Sequence, residues 1–166
     1  FAKFARPTAR VLWSDVCAVS PRDGVVSLMM RAANERRNQI AEAQMRLSLL
    51  ISEKTHEGEQ VRRFHDLKLV RGSNAIFALT WTVVHPIDET SPLHGHTPES
   101  LAAGEAQLVA SLTGIDETFS QTVHARCTWD AAEIRWGHRF VDIIERLPDG
   151  RRRVDYARFH DTMPWP

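Results

Sequence analysis

Apolar and polar positions alternate with a period of two along much of this chain. In residues 44–51, Met45, Leu47, Leu49 and Ile51 are apolar, while Gln44, Arg46 and Ser48 between them are polar. That is the pattern of a strand with one buried face. In "FALTWTVV", Phe77, Leu79, Trp81 and Val83 share one face, with Thr80 and Thr82 opposite. The longest pattern runs from Thr118 to Trp129. Thr118, Ser120, Thr122, His124, Arg126 and Thr128 fall on one face, and Phe119, Val123, Ala125, Cys127 and Trp129 on the other, with Gln121 as the misfit.

Further strands are predicted over "RVLWSDV", "VVSLMMRAA", "QLVASLTG", "RFVDIIERL" and "RRVDYARF", separated by turn chemistry at "SPRDG", "HEGEQ", "RGSN" and "LPDG". "NERRNQIAEAQMR" has helix-forming residues but no 3.6 period, so its second half is read as strand. "TPESLAAG" is the one short helix, with Thr97 as cap, Pro98 in the first turn and Gly104 at the end. Many short strands at close spacing predict one all-β domain, an antiparallel sandwich.

Composition narrows this little. The chain has 166 residues, 43% of them hydrophobic, enough for a single core. Its 21 basic and 21 acidic residues cancel, so no overall basic field for nucleic acid exists. Cys17 and Cys127 have no metal spacing and suit a reducing compartment. No apolar run approaches a membrane span, and "FAKFARPTAR" has no apolar signal core. The first residue, Phe1, suggests a fragment of a longer chain.

Candidate chemistry gathers in "HPIDETSPLHGHTPESL". His94 and His96, with His85 or Asp88, could ligate a metal. The alternative is an exposed connection shaped by Pro86 and Pro92. No nucleophile elbow or phosphate-binding glycine motif occurs, and Cys127 lies in a strand pattern where it packs rather than reacts. Arg62, Arg63 and residues 151–153 form short basic runs without aromatic platforms, so no nucleic acid partner is expected. On residues alone, the chain is a β-sandwich with no assigned role, and a stand-alone binding module or a histidine-based metal-dependent hydrolase stays open.

"RRFHDLKLVRGSNAIFALTWTVVHPIDETSPLHG" resembles the corresponding run of inward-rectifier potassium channels, particularly prokaryotic ones. "AKFARPTARVLWS", "LMMRAANERRNQIAEAQMRLSLL", "LTGIDETFSQTVHAR", "EIRWGHRF" and "VDYARFHD" continue the resemblance in order over nearly the whole chain. It implies the cytoplasmic C-terminal domain of such a channel: an immunoglobulin-like antiparallel β-sandwich, not an enzyme, with no cofactor. Residues 1–12 would be a linker from an inner transmembrane helix, and residues 13–166 the sandwich. Four copies, a homotetramer, would surround a path for K+ ions that extends a transmembrane pore borne by the same chain, at the cytoplasmic face of the bacterial inner membrane. The histidine-rich stretch would then be a connection within the sandwich.

The resemblance also implies roles. Glu42 matches a position that carries an acidic ring in the ion path, and Thr113 replaces a second ring acid, which implies weak rectification. Residues Gly114, Ile115, Glu117, Thr118, Ser120, Gln121, Thr122 and Arg126 fall in the loop and strand that line the cytoplasmic constriction, with Gly114 as a hinge and Glu117 and Arg126 as ion-pair candidates. Lys3, Arg6 and Arg10 match basic residues of the linker and would face anionic lipid. Thr8 and Ala9 replace a basic pair, which implies inhibition rather than activation by phosphoinositides. Trp129 stands where relatives often carry tyrosine and should fill the core.

Overall fold

The computed structural model describes residues 10–36 and 38–166. Its strands are β1 (Val11–Trp13), β2 (Cys17–Arg22), β3 (Val25–Asn34), β4 (Ile40–Lys54), β5 (Gln60–Leu67), β6 (Ser73–Phe77) and β7 (Thr80–Pro86). After helix α1 (Pro98–Ala103) come β8 (Gln107–Asp116), β9 (Gln121–Asp130), β10 (Ile134–Trp136), β11 (His138–Phe140), β12 (Ile144–Arg146), β13 (Arg152–Val154) and β14 (Thr162–Pro164).

They form two main sheets. In sheet A, β3 pairs with β7 on one side and with β1 and β2 on the other, and β2 carries β10. In sheet B the order is β5-β4-β8-β9, and β6 extends the β5 side of β4. All pairs are antiparallel except β2–β10, a parallel departure from the expected sandwich. The sheets enclose one core, in which Leu28, Met30 and Ala32 of β3 meet Met45, Leu47 and Leu49 of β4 and Leu108, Ala110 and Leu112 of β8.

The other face of sheet A is also partly covered. Ala33 packs with Val141, Ile143 and Phe159 of the C-terminal segment, making a second, smaller core. This explains "VVSLMMRAA", which lacks alternation because a strand covered on both faces has no reason to alternate. Arg31 crosses that layer. Its Nε donates to the Phe159 carbonyl and Nη1 to the Val141 carbonyl, both at 2.7 Å, and Nη2 donates to the Arg158 carbonyl at 3.1 Å. Phe140 stacks 4.6 Å from its guanidinium carbon. Burial pushes the Arg31 pKa down to about 10, which leaves it charged at neutral pH.

Several expected elements are placed as read. β4 opens at Ile40, and α1 has Thr97 accepting from the Ser100 amide, with Pro98 first. Gly104 ends the helix for a different reason than a left-handed cap. Its φ is −83°, and an added Cβ would stand 2.6 Å from Ile51 Cγ1, so the helix end is pressed against the core. Trp129 is buried and donates from Nε1 to the Ser14 carbonyl at 2.7 Å, which fixes the β1–β2 corner.

Two long strand readings are corrected. "FALTWTVV" is not one strand: Phe77 closes β6 in sheet B, Thr80 opens β7 in sheet A, and Leu79 is left 46% exposed at the crossover. Phe77 and Trp81 still meet edge to face across the core, which is why the apolar spacing looked continuous. The pattern from Thr118 is likewise broken, because residues 117–120 form the turn between β8 and β9. Phe119 is therefore 55% exposed, and Gln121 is no misfit but the first residue of β9, opposite Asp116. From Thr122 onward the alternation holds: Val123 and Trp129 are buried, Ala125 and Cys127 half-buried, and His124, Arg126 and Thr128 exposed.

Candidate functional site

The apolar parity of β4 shifts within the strand. Ala43, Met45, Leu47 and Leu49 are buried at odd positions, yet Ile40 is buried at an even one. A regular strand cannot do this, so one residue must be extra. The pairing with β8 shows where: it steps from Ala41↔Ile115 to Gln44↔Thr113, three residues against two. This is a β-bulge, and Glu42 occupies it with φ at +50°, in the left-handed region that a non-glycine residue rarely takes.

Gly114 lies on the opposing strand at the bulge. A Cβ there would sit 2.4 Å from Ile40 Cγ2, 3.1 Å from the Ala41 carbonyl oxygen and 3.4 Å from Ala43 Cα. Gly114 is buried and is not among the residues with positive φ, so the close approach of the bulge accounts for a glycine at this position. The bulge leaves the Glu42 side chain exposed, on the strand next to Gly114 and Ile115. Of the residues singled out in the sequence, Glu42, Gly114, Ile115, Glu117, Thr118, Ser120, Gln121 and Thr122 thus gather at one end of sheet B.

The turn at this end is held by Asp116, whose carboxylate is buried. Its Oδ1 accepts from the Thr118 amide at 2.9 Å, and its Oδ2 accepts from Asn38 Nδ2 at 3.2 Å. Asn34, also buried, donates from Nδ2 to the Asn38 and Phe77 carbonyls at 2.8 and 3.0 Å. The Glu117 amide donates to the Gln39 carbonyl. One polar chain therefore joins the end of β3, the connection to β4, the β6–β7 crossover and the β8–β9 turn. Ser120 completes the turn with φ at +52°. The sequence reading passed over Asp116, although an Asp two residues before Thr118 carries the Asx-turn signature.

Arg126 lies farther along β9, in a row with Ser111 and Arg46 on the exposed face. Within the single chain, and among the described residues, neither Arg126 nor Glu117 makes an ion pair; Arg46 reaches Asp66 at 3.8 Å. Lys3 and Arg6 lie outside the described residues. Arg10 is exposed, its Nε 3.6 Å from Glu35 Oε2.

The histidines do not assemble. His85 is buried: its Nδ1–H donates to the Lys68 carbonyl, and Nε2 accepts from the Ser91 hydroxyl, both at 2.7 Å. Burial pushes its pKa below the ordinary value. His96 instead bonds Ser100, and His94 is exposed. Among the described residues no group of three or more potential ligands stands ready for a metal, and no helix is long and apolar enough to cross a membrane. Burial pushes both thiol pKa values up at Cys17 and Cys127, which face the core as free cysteines.

Residues 11–165 match the family model described as "Inward rectifier potassium channel C-terminal domain". The chain belongs to this family. It is 48% identical over 161 residues to "Inward rectifier potassium channel Kirbac3.1" of Paramagnetospirillum magnetotacticum, covering 97% of the chain and 55% of that protein. It is 38% identical over 168 residues to human "Inward rectifier potassium channel 4", covering 97% of the chain and 38% of the channel. Human "G protein-activated inward rectifier potassium channel 1" is 34% identical, covering 100% of the chain and 34% of the channel. The chain thus spans about half of its Paramagnetospirillum relative and little more than a third of the human ones. These relatives are channels, not enzymes, so the inward-rectifier domain replaces the hydrolase reading that His85, His94 and His96 left open.

Proposed function

We propose that this inward-rectifier domain continues the ion path of a tetrameric potassium channel on the cytoplasmic side and transmits gating signals to the transmembrane part of the same protein. The carrying observation is the bulge that leaves Glu42 exposed beside Gly114, Ile115 and the Glu117–Ser120 turn. Around a four-fold axis this end of sheet B supplies four carboxylates. Their potentials sum over a narrow aqueous path and concentrate K+ and multivalent cations.

The small polar residues Thr118, Ser120 and Thr122 suit a wet surface, and the buried Asp116–Asn38 link couples its position to the start of β4. In this reading Glu117 and Arg126 find their partners on adjacent copies, and Thr113 in place of a second acid keeps rectification shallow. Lys3, Arg6 and Arg10 meet anionic lipid, at about 1 kcal/mol per basic residue near the surface.

The test is block of the full-length channel by internal magnesium, compared between wild type and Glu42→Gln. Gln keeps the shape and removes the charge, so block should weaken several-fold. A second variant, Glu42→Gly, relieves the left-handed backbone while also removing the charge. It should weaken block equally while raising stability by up to about 1 kcal/mol. Unchanged block in both variants would remove Glu42 from the ion path.

A further inference from the structure

The exposed face of sheet B runs from the Glu42 bulge toward the β4–β5 hairpin, and its residues fall into rows by register. Ser73, Gln44, Thr113 and His124 form one row across β6, β4, β8 and β9. Arg46, Ser111 and Arg126 form the next, and Asp66, Ser48, Val109 and Thr128 the one after. Ser111, Thr113, His124 and Arg126 border a shallow depression of about 370 Å³, so the imidazole meets water.

His124 is the one histidine of this face, although the sequence holds eight. His85 is buried, and His96 bonds Ser100. His65 bonds Glu53 and pairs in register with the buried Leu49, which puts it on the opposite face of sheet B. His138 bonds the Trp136 carbonyl and His160 accepts from the Asp15 amide, both from the C-terminal layer. His56 and His94 lie in connections between elements.

The groups that face His124 carry little standing charge. Thr113, directly opposite on β8, and Gln44 beyond it on β4 are neutral, as is Ser73 of β6. Arg46 reaches Asp66 at 3.8 Å. Arg126, two residues along β9, has no ion pair within the single chain, and the reading above gives it Glu117 of an adjacent copy. Asp116 is turned inward to Asn38 and the turn. Glu42 is then the charge left without a partner at this end of the face. Two inter-strand steps, roughly 10 Å, separate His124 from Gln44, and Glu42 lies two residues beyond. A cation between them stands within about one screening length, ~8 Å, of both.

We infer that His124 is a proton-sensitive counter-charge to the Glu42 ring, so that acidification on the cytoplasmic side weakens the hold of this surface on multivalent cations. The inference rests on the ion-path reading and adds a regulation to it. Histidine is the side chain whose ordinary charge change falls between about pH 5 and 8. In a tetramer four protonated rings match four Glu42 carboxylates one for one. Thr113 adds no carboxylate that would offset the proton.

The test is block of the full-length channel by internal magnesium, compared at about pH 8 and about pH 5.5, across most of the histidine range. Wild type should lose about fivefold in apparent magnesium affinity at the lower pH, the scale of four screened charges roughly 10 Å from a divalent ion. His124→Gln should keep the high-pH affinity at both values, and His124→Arg should show the weakened block at both. His124 is exposed on an edge strand, so neither variant disturbs the core. His56→Gln, in the β4–β5 hairpin, should keep the wild-type pH dependence. A pH dependence that survives in His124→Gln, or is lost equally in His56→Gln, while Glu42→Gln weakens block at high pH, overturns the inference and leaves the ion path standing. Block unchanged in Glu42→Gln overturns the ion-path reading and this inference with it.

Discussion

The bulge in β4 makes a sharp demand on its neighbour, which Gly114→Ala tests. The new methyl would begin 2.4 Å from Ile40 Cγ2 and 3.1 Å from the Ala41 carbonyl oxygen, both well inside contact distance. Ile40 is 3% exposed and cannot swing away, and Ala41 belongs to the backbone of the bulge. Overpacking of this kind costs about 1–3 kcal/mol. In a domain of this size each kcal/mol lowers the melting temperature by about 2–4 °C, so a fall of roughly 2–12 °C is expected. A double-mutant cycle with Ile40→Ala isolates the cause. Ile40→Ala alone costs about 2–5 kcal/mol through the cavity it leaves. The double variant should be less destabilised than the sum of the singles by about 1 kcal/mol or more, because the cavity accepts the methyl. Chemical denaturation of the purified chain measures all three. Strict additivity, or a Gly114→Ala cost below about 0.5 kcal/mol, would refute close packing as the reason for this glycine.

Arg31→Ala removes three donors to main-chain carbonyls and the stacking on Phe140, and should cost at least about 3 kcal/mol. Arg31→Lys should recover less than half of that, since an ammonium cannot span three divergent acceptors; urea midpoints decide. His85 gives the domain a pH dependence of defined sign. Its folded pKa is depressed, mainly by burial, so the unfolded chain takes up the proton first. The stability this burial allows is fully present above the ordinary histidine pKa of about 6.5 and is lost as pH falls through the lower folded value. Melting temperatures from pH 8 to 5 should therefore fall less steeply in His85→Gln than in wild type, and parallel curves would exclude His85 as the source.

Alternation within a strand was plain in the chain wherever one face is buried and the other wet, as in β4, β8 and the body of β9. It misled where the chain changed sheets. Phe77, Leu79, Trp81 and Val83 kept the spacing of one strand because Phe77 and Trp81 meet across the core from different sheets, and local spacing does not encode that crossing. Strand β5 was missed because "QVRRFHDL" covers an edge of sheet B with polar residues on both faces and buries only Leu67 fully. Nothing local in "VVSLMMRAA" marks the role of Arg31, since the carbonyls it binds lie more than a hundred residues away. The bulge was readable in principle from the parity change between Ile40 and Ala43, but only a register shows which strand carries the extra residue. The candidate site was legible mainly through resemblance. Its geometry, with Glu42 in a left-handed bulge and Asp116 holding the turn, was not.

The most direct test of the central claim is rubidium uptake into liposomes carrying the full-length protein that contains this inward-rectifier domain, with and without barium. The ion-path account predicts barium-sensitive uptake, lowered in Glu42→Gln at low internal potassium, where cation concentration by the acidic ring matters most. A correctly assembled protein whose uptake is absent, or insensitive to barium, would contradict it.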